Sequence, residues 1–469
     1  MAQGDESIST DVVVAVLAAG RGRRMRSGTP KHLHLIAGVP IVERAIRAGI
    51  DSGARETLVV VSPNMKDIDQ LLGLEGKCTP VVQEPARGTA DAVRHALYAA
   101  GDATWLVSLL GDNPLLTGEV VRELVARAKA SGSLLTLLTS VLPDAAAYGR
   151  VERDDQGRVT RIIEQKNDDP ASRTGPTEIN SGVMVLNAAW AREELSHMPL
   201  DPVTGEFLLT DLIDLAVRTG SGSGESWPVD TVVADDTVTL GVNDRLQLQE
   251  VDAIARRIIR ERHVRNGVTI IGPDTVFIDE RVTIGEDTVI APHSILTGTT
   301  VIGRDCQVGP AAVLDNAQLA DGVTVEQSTI RNSTVGAGTH VGPYAHLRAG
   351  CQIGRDVHIG SYSELKNAKL ADGVKCGHVS YLGDVTVGVS TNIGAGTITA
   401  NYDGQQKHVT TIGDGVFVGC DTVLVAPVRL GDGSSTGAGA VVNRDVEADS
   451  TVVGVPARPI DKREGRKRH

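Results

Sequence analysis

The chain has 469 residues, 41% of them hydrophobic but only 3% aromatic, with 52 glycines. That is too long for one ordinary core, so two or more domains are expected. Its 46 basic and 59 acidic residues leave a formal charge of −13, which argues against a nucleic-acid partner. The five cysteines, Cys78, Cys306, Cys351, Cys376 and Cys420, are scattered without a C-x-x-C pair. They argue against a disulfide framework or a zinc site and fit a reducing compartment. The segment from Met1 to Asp11 is polar and acidic, and no apolar run approaches 18 residues. A cytoplasmic protein without a membrane partner is therefore expected.

Apolar runs and helix-like stretches alternate from Asp11 to about Val242. Val12 to Leu17, Thr57 to Val61 and Trp105 to Leu110 read as strands; Ile41 to Ser52 and Ala90 to Ala100 read as helices. This rhythm predicts a mostly parallel sheet covered on both faces. Gly220 to Gly224 reads as a surface loop. From Asp244 to Arg265, Leu248, Val251, Ile254 and Ile258 recur at three- and four-residue spacing among charges, predicting an amphipathic connecting helix.

Beyond Gly267 the period becomes six. Ile278, Ile284, Ile290, Leu296, Ile302, Val308 and Leu314 form an unbroken series. A second runs from Val335 through Val341, Leu347, Ile353 and Ile359 to Leu365. A third takes Ile412, Val418, Leu424 and Leu430, lapses at Thr436 and resumes at Val442. This is the hexapeptide pattern of a parallel β-helix, one flat face per hexad with the aliphatic residue pointing inward. At about 18 residues per coil, residues 268–459 make roughly ten coils. The register breaks between Leu314 and Val335 and between Thr399 and Ile412. The second break, residues 400–411, is the stronger candidate for a functional loop on a rigid scaffold.

The first strand runs into Leu17-Ala18-Ala19-Gly20-Arg21-Gly22-Arg23-Arg24-Met25, followed by Pro30-Lys31. A glycine-containing loop at a strand end lets backbone N–H groups approach phosphate, and Arg24 and Lys31 add charge. The plain alternative is a tight turn beside two surface cations.

This string resembles the signature of the sugar-nucleotide nucleotidyltransferases. With the hexads, positions 11 to 459 resemble the bacterial bifunctional family that joins an N-acetylglucosamine-1-phosphate uridyltransferase to a glucosamine-1-phosphate N-acetyltransferase. The resemblance implies an α/β chain in four parts. These are a Rossmann-like nucleotidyltransferase domain (1–243), a linker helix (244–267), a left-handed parallel β-helix acetyltransferase domain (268–459) and a basic tail (460–469). It implies Mg²⁺ as cofactor, UTP, glucosamine 1-phosphate, N-acetylglucosamine 1-phosphate and acetyl-CoA as small-molecule partners, and a homotrimer.

Site residues follow from the same resemblance. Leu17, Ala18, Ala19, Gly20, Gln83, Gly88 and Thr89 match nucleotide-contacting segments, with Arg24 and Lys31 on the phosphates. Asp112, after the third strand, and Asn243 match the metal ligands. Gly149 beside Tyr148, Glu164 with Lys166, and Asn180 match sugar-binding segments. In the second half, His378, in Cys376-Gly377-His378-Val379-Ser380-Tyr381, matches the general base, and Glu364 is a candidate to orient its ring. Imidazole titrates where it can take a proton from an attacking amine. Arg348 and Lys366 match phosphate ligands, Tyr381 and Asn392 sugar contacts. Ala395, Asn401, Tyr402, Cys420 and Ala438 match acetyl-CoA positions, with Lys407 nearby; Cys420 is expected to be a small buried thiol.

The sequence departs from the family pattern at Arg23, where Thr is usual, at Ala90-Asp91, where Gly-His is usual, and at Leu110. These positions neighbour the base and phosphates. They keep a second reading open, a paralogue with changed nucleotide or amino-sugar specificity. A third, a regulatory scaffold without catalysis, has no physical need for Lys31, Asp112, Asn243 and His378 together.

Overall fold

The computed structural model describes residues 10–20, 22–143, 145, 148–164, 175–201, 205–220 and 227–460. The expectations for residues 1–9, Lys166, most of the 220–224 loop and the basic tail from Asp461 onward lie outside the described residues, as does the side chain of Arg23. The chain divides into two compact units, Met1–Ala255 and Arg256–His469.

In the first unit, β1 (Val12–Leu17), β2 (Glu56–Val61), β3 (Thr79–Val82) and β4 (Trp105–Leu110) run parallel. The sheet continues through β5 (Leu135–Leu142), β6 (Thr177–Asn187) and β7 (Val229–Val233) in the order β7-β5-β6-β4-β1-β2-β3. Strand β6 is antiparallel to β4 and β5. Every residue of β1 is buried, because its two faces feed two cores. Val13, Ala15 and Leu17 pack with helices α2 (Thr89–Ala99), α4 (Ala188–His197) and α5 (Asp211–Gly220). Val12, Val14 and Val16 pack with α1 (Ile41–Asp51) and α3 (Gly118–Ser131). A strand apolar on both faces is what a doubly covered parallel sheet requires. The carboxyl ends of β1, β3 and β4 then open onto one edge, where such sheets bind ligands.

Helix α6 (Arg245–Arg265) contains the unit boundary. Its buried stripe differs from the expected one: Val251, Ala255, Ile259 and His263 face inward, whereas Ile258 is 47% exposed. A straight helix buries an i, i+4 row, and that row includes a small and a polar residue that an apolar pattern skips.

The second unit is a parallel β-helix. Ile278, Leu296, Leu314, Ile330, Leu347, Leu365 and Leu382 stack in register on one face, all nearly fully buried. The first register break is no excursion. The inward series continues as Leu314, Leu319, Val325, Ile330 and Val335, with three faces shortened to five residues. Asn316, Gln327 and Asn332 take positive φ at the tightened corners. At the lapse, Thr436 still points inward, where its hydroxyl accepts from Gly419 N at 2.9 Å.

Candidate active sites

At the carboxyl edge of the first unit, Gly111 N donates to Leu17 O at 2.9 Å, drawing the ends of β1 and β4 together. A Cβ on Gly111 would stand 2.9 Å from Leu17 O, so only glycine permits this approach. Below the loop, Ala18 is buried in the core; Leu17, Ala19 and Gly20 line a cleft of about 720 Å³. Arg24, Lys31, Asp112 and Asn243 close one end of it, and Gln83, Gly88, Thr89 and Leu110 line the rest.

The charged end is a network. Lys31 Nζ forms an ion pair with Asp112 and donates to Asn243 Oδ1 at 2.9 Å; Arg24 donates to the same oxygen at 3.0 Å. Beside Lys31, His32 is buried. Burial drives its pKa down to about 4, the charge of Lys31 adds to this, and Asp112 opposes it. Its Nδ1 has no protein partner among the described residues. Nothing in the sequence pattern singled out His32 except its place after Pro30-Lys31.

At the other end, Gln83 N donates to Val61 O at 2.9 Å, and its side-chain Nε2 reaches Gly88 O at 3.1 Å and Asp91 Oδ2 at 2.8 Å. Asp91 is buried and ion-paired with Arg94. Residues 205–209, which the sequence reading missed, brace this loop. Phe207 N donates to Arg87 O at 2.8 Å, Ala90 N to Phe207 O at 3.0 Å, and Leu209 N to Thr89 Oγ1 at 3.1 Å. Glu206 lines the cleft. Gly88 sits at φ +107°, where a Cβ would fall 2.4 Å from Phe207 O.

Gly149, Glu164 and Asn180 form a separate group. Asn180 N donates to Gly149 O at 2.8 Å, and Glu164 lies beside Gly149. Tyr148, whose pKa burial raises, accepts from Gly241 N at 3.0 Å and so ties this group to the turn before Asn243.

On the β-helix, exposed His378 ends the strand Lys375–His378, opposite Ser361 in register. Strand pairing sets Cys376 against Ile393, Ile393 against Val418, and Phe417 against Ser435. Counting along these strands places His378, Ala395, Cys420 and Ala438 in one column on successive coils. Asp421 N donates to Ala395 O at 2.7 Å and Gly439 N to Cys420 O at 2.8 Å along it. Cys420 is exposed rather than buried, because it lies at the corner two residues past the inward Val418.

The next face carries the cations. Arg348 pairs with Glu364 at 3.0 Å, and this ion pair is the bond that Glu364 makes in place of the expected one to His378. Lys366 is set against Gly383. Its pKa is lowered, chiefly by Lys407, with Arg348 adding and Asp384 opposing. Tyr381 lies across Gly383, its hydroxyl where a Cβ would stand. Asn392 is elsewhere, paired with Lys375 on the face that bears His378. Asn401 donates to Asp384, and Tyr402 belongs to a loop closed by its bridge to Lys407. Asp403 caps this loop by accepting from Gln405 and Gln406 N, both at 2.8 Å, and by pairing with His408 at 2.7 Å.

Residues 14–142 match a MobA-like NTP transferase domain, residues 272–361 a GMPPB C-terminal domain, and residues 410–444 the bacterial transferase hexapeptide repeat. The bifunctional protein GlmU of Brevibacillus brevis is 40% identical over 439 residues, 93% of this chain and 94% of its own length. That of Paenarthrobacter aurescens is 41% identical over 451 residues, 95% of this chain and 89% of that protein. The Mycolicibacterium gilvum protein is 39% identical over 467 residues, 98% and 93% respectively. The chain belongs to the bifunctional GlmU family. It is accordingly a bifunctional enzyme of UDP-N-acetylglucosamine synthesis, with nucleotidyltransferase and hexapeptide acetyltransferase domains. No helix among the described residues is long and apolar enough to cross a membrane.

Proposed function

We propose that the first unit transfers uridylyl from UTP to N-acetylglucosamine 1-phosphate through the network of Lys31, Arg24, Asp112 and Asn243. The sugar phosphate oxygen attacks the α-phosphorus, and the bond to the β-phosphate oxygen breaks to release pyrophosphate. Such transfers depend on positioning and charge neutralisation more than covalent chemistry. Lys31 and Arg24 are held at the cleft end by partners they can exchange for phosphate oxygens. Gln83 and Gly88 face the base, while Gly149, Glu164 and Asn180 receive the sugar.

Two oxygen donors, Asp112 and Asn243, already converge on one cation, the Lys31 ammonium. A carboxylate and an amide oxygen suit Mg²⁺, whose remaining positions go to water and phosphate. When bound it would neutralise charge on the triphosphate.

On the β-helix, His378 takes the proton from the amine of glucosamine 1-phosphate as nitrogen attacks the acetyl thioester of acetyl-CoA and the coenzyme thiolate leaves. Arg348, Lys366 and Lys407 form the anion site for the sugar phosphate. Asn392 and Tyr381 are assigned to sugar contact. The column of Ala395, Cys420 and Ala438 spans three coil steps from His378, about 14 Å at ordinary strand spacing, and gives an extended thioester arm a straight bed. Asn401 and Tyr402 flank it. The assembly is a cytoplasmic homotrimer.

The Lys31–Asp112–Asn243 convergence carries the first assignment. Its test is pyrophosphate release with N-acetylglucosamine 1-phosphate, Mg²⁺ and each of UTP, CTP, dTTP, ATP and GTP. UTP is expected to lead; preference for another nucleotide would favour the paralogue suggested by Ala90-Asp91 and Leu110.

A further inference from the structure

Gln83 lines the cleft, yet its side-chain nitrogen is fully committed. Both partners of Nε2, the Gly88 carbonyl at 3.1 Å and the Asp91 carboxylate at 2.8 Å, are acceptors without a proton to give. An amide turned the other way would set its oxygen against two oxygens, so the two acceptors determine its orientation. The amide has two N–H bonds, and each has one acceptor. What Gln83 has left to offer is Oε1, which accepts from no described residue. Beside it, the backbone N–H of Gly88 donates to no described residue either.

Asp91 is built to hold that orientation. It is 2% exposed on the first turn of α2, and Arg94 pairs with its other oxygen. Arg94 in turn lies over the Phe207 ring, 5.3 Å from its centre. Phe207 fixes Arg87 and Ala90 through its backbone, so the carboxylate, the arginine and the loop are one braced unit.

We infer that Asp91 is a specificity-positioning residue, locking Gln83 so that the cleft presents a hydrogen-bond acceptor beside the Gly88 donor to the edge of the base. The inference rests on the assignment of this cleft to the nucleoside triphosphate. Uracil answers that pair with its N3–H donor and a carbonyl acceptor. Cytosine, with ribose and phosphates in the same place, sets a lone pair on N3 against Oε1. A site that leaves buried polar groups unpaired rejects such an analogue by orders of magnitude. Asp91 itself touches no base; it acts through Gln83.

The experiment measures kcat/KM for pyrophosphate formation with UTP and CTP, for the unaltered chain and for Asp91→Asn. Asparagine has the size of aspartate but can donate as well as accept, so Gln83 is no longer held one way. The unaltered chain is expected to favour UTP by about 1000-fold or more, and Asp91→Asn to narrow that ratio at least about tenfold. A generally loosened structure would lower both rates and leave their ratio alone. An unchanged ratio in a UTP-selective enzyme overturns the role of Asp91 and leaves the uridylyl assignment intact. A chain that does not prefer UTP overturns that assignment and this inference together. Should Asp91→Asn not fold, the unaltered chain with N3-methyluridine triphosphate decides. This analogue lacks the donor and is expected to lose at least about 100-fold; turnover equal to UTP overturns the lock.

Discussion

The two cationic sites hold their charge in opposite ways. In the first unit Lys31 is nearly buried, with Asp112 and Asn243 as partners. On the β-helix Lys366 is half-buried and faces a second ammonium, the exposed Lys407, with exposed Arg348 adding to the repulsion. A cation already satisfied by its own protein binds phosphate by exchange, and the site is preorganised before substrate arrives. Cations that repel one another gain most from a dianion, so affinity comes from relief of repulsion. The first arrangement suits a charge moving during reaction, the second a ground-state anchor away from the reacting amine.

The sharpest way to break this comparison is to remove one group from each site. Asp112→Ala takes away both the partner of Lys31 and the proposed Mg²⁺ donor, and pyrophosphate formation is expected to fall about 10²–10³-fold with acetyl transfer unchanged. His378→Ala is expected to do the converse, lowering acetyl transfer about 10²–10⁴-fold with uridylyl transfer unchanged. Steady-state rates of both half-reactions on each variant check this; loss of both activities in either would dissolve the division of labour.

The buried site also has a stability signature. His32 has its folded pKa lowered to about 4 from 6.5 by burial. Between those values the unfolded chain binds more protons, so stability is full above pH 6.5 and is lost as the pH falls towards 4. The span corresponds to about 3 kcal/mol. Denaturant unfolding of the first unit across this range is expected to show the slope, and His32→Gln to flatten it.

The exposed site gives the smallest effect and sharpens the contrast. Lys407→Ala removes the main cause of the lowered Lys366 pKa. Affinity for glucosamine 1-phosphate near neutral pH is expected to fall about tenfold, while the alkaline loss of binding moves to higher pH. Titration calorimetry from pH 7 to 10 would show both. An alkaline limb that stays in place would mean that Lys366 does not titrate against Lys407.

Much of this site was legible along the chain wherever the chemistry is local. The loop after β1, the Pro30-Lys31 pair and the segment around His378 each place several candidate functional atoms within a few residues. Asp91 was visible only as a departure from a pattern, and its role needed the position of Gln83. His32 gave no signal, because burial is not written in its neighbours. The stripe of α6 was read one position off, since Ala255 and His263 are not apolar enough to register as core.

The sequence by itself determined the two architectures. An inward residue every six positions can only close one prism face after another, and a doubly apolar strand can only be covered on both sides. The tertiary structure alone decided which distant groups meet. Asn243 reaches Lys31 across 212 residues, and Leu209 N reaches Thr89 across 120. His378, Ala395, Cys420 and Ala438 form a column although their spacings along the chain are unequal. A shortened face and an inserted loop change the length of a coil without changing its place in the stack. Hydrogen-bonded register, and not sequence distance, sets which side chains share a corner.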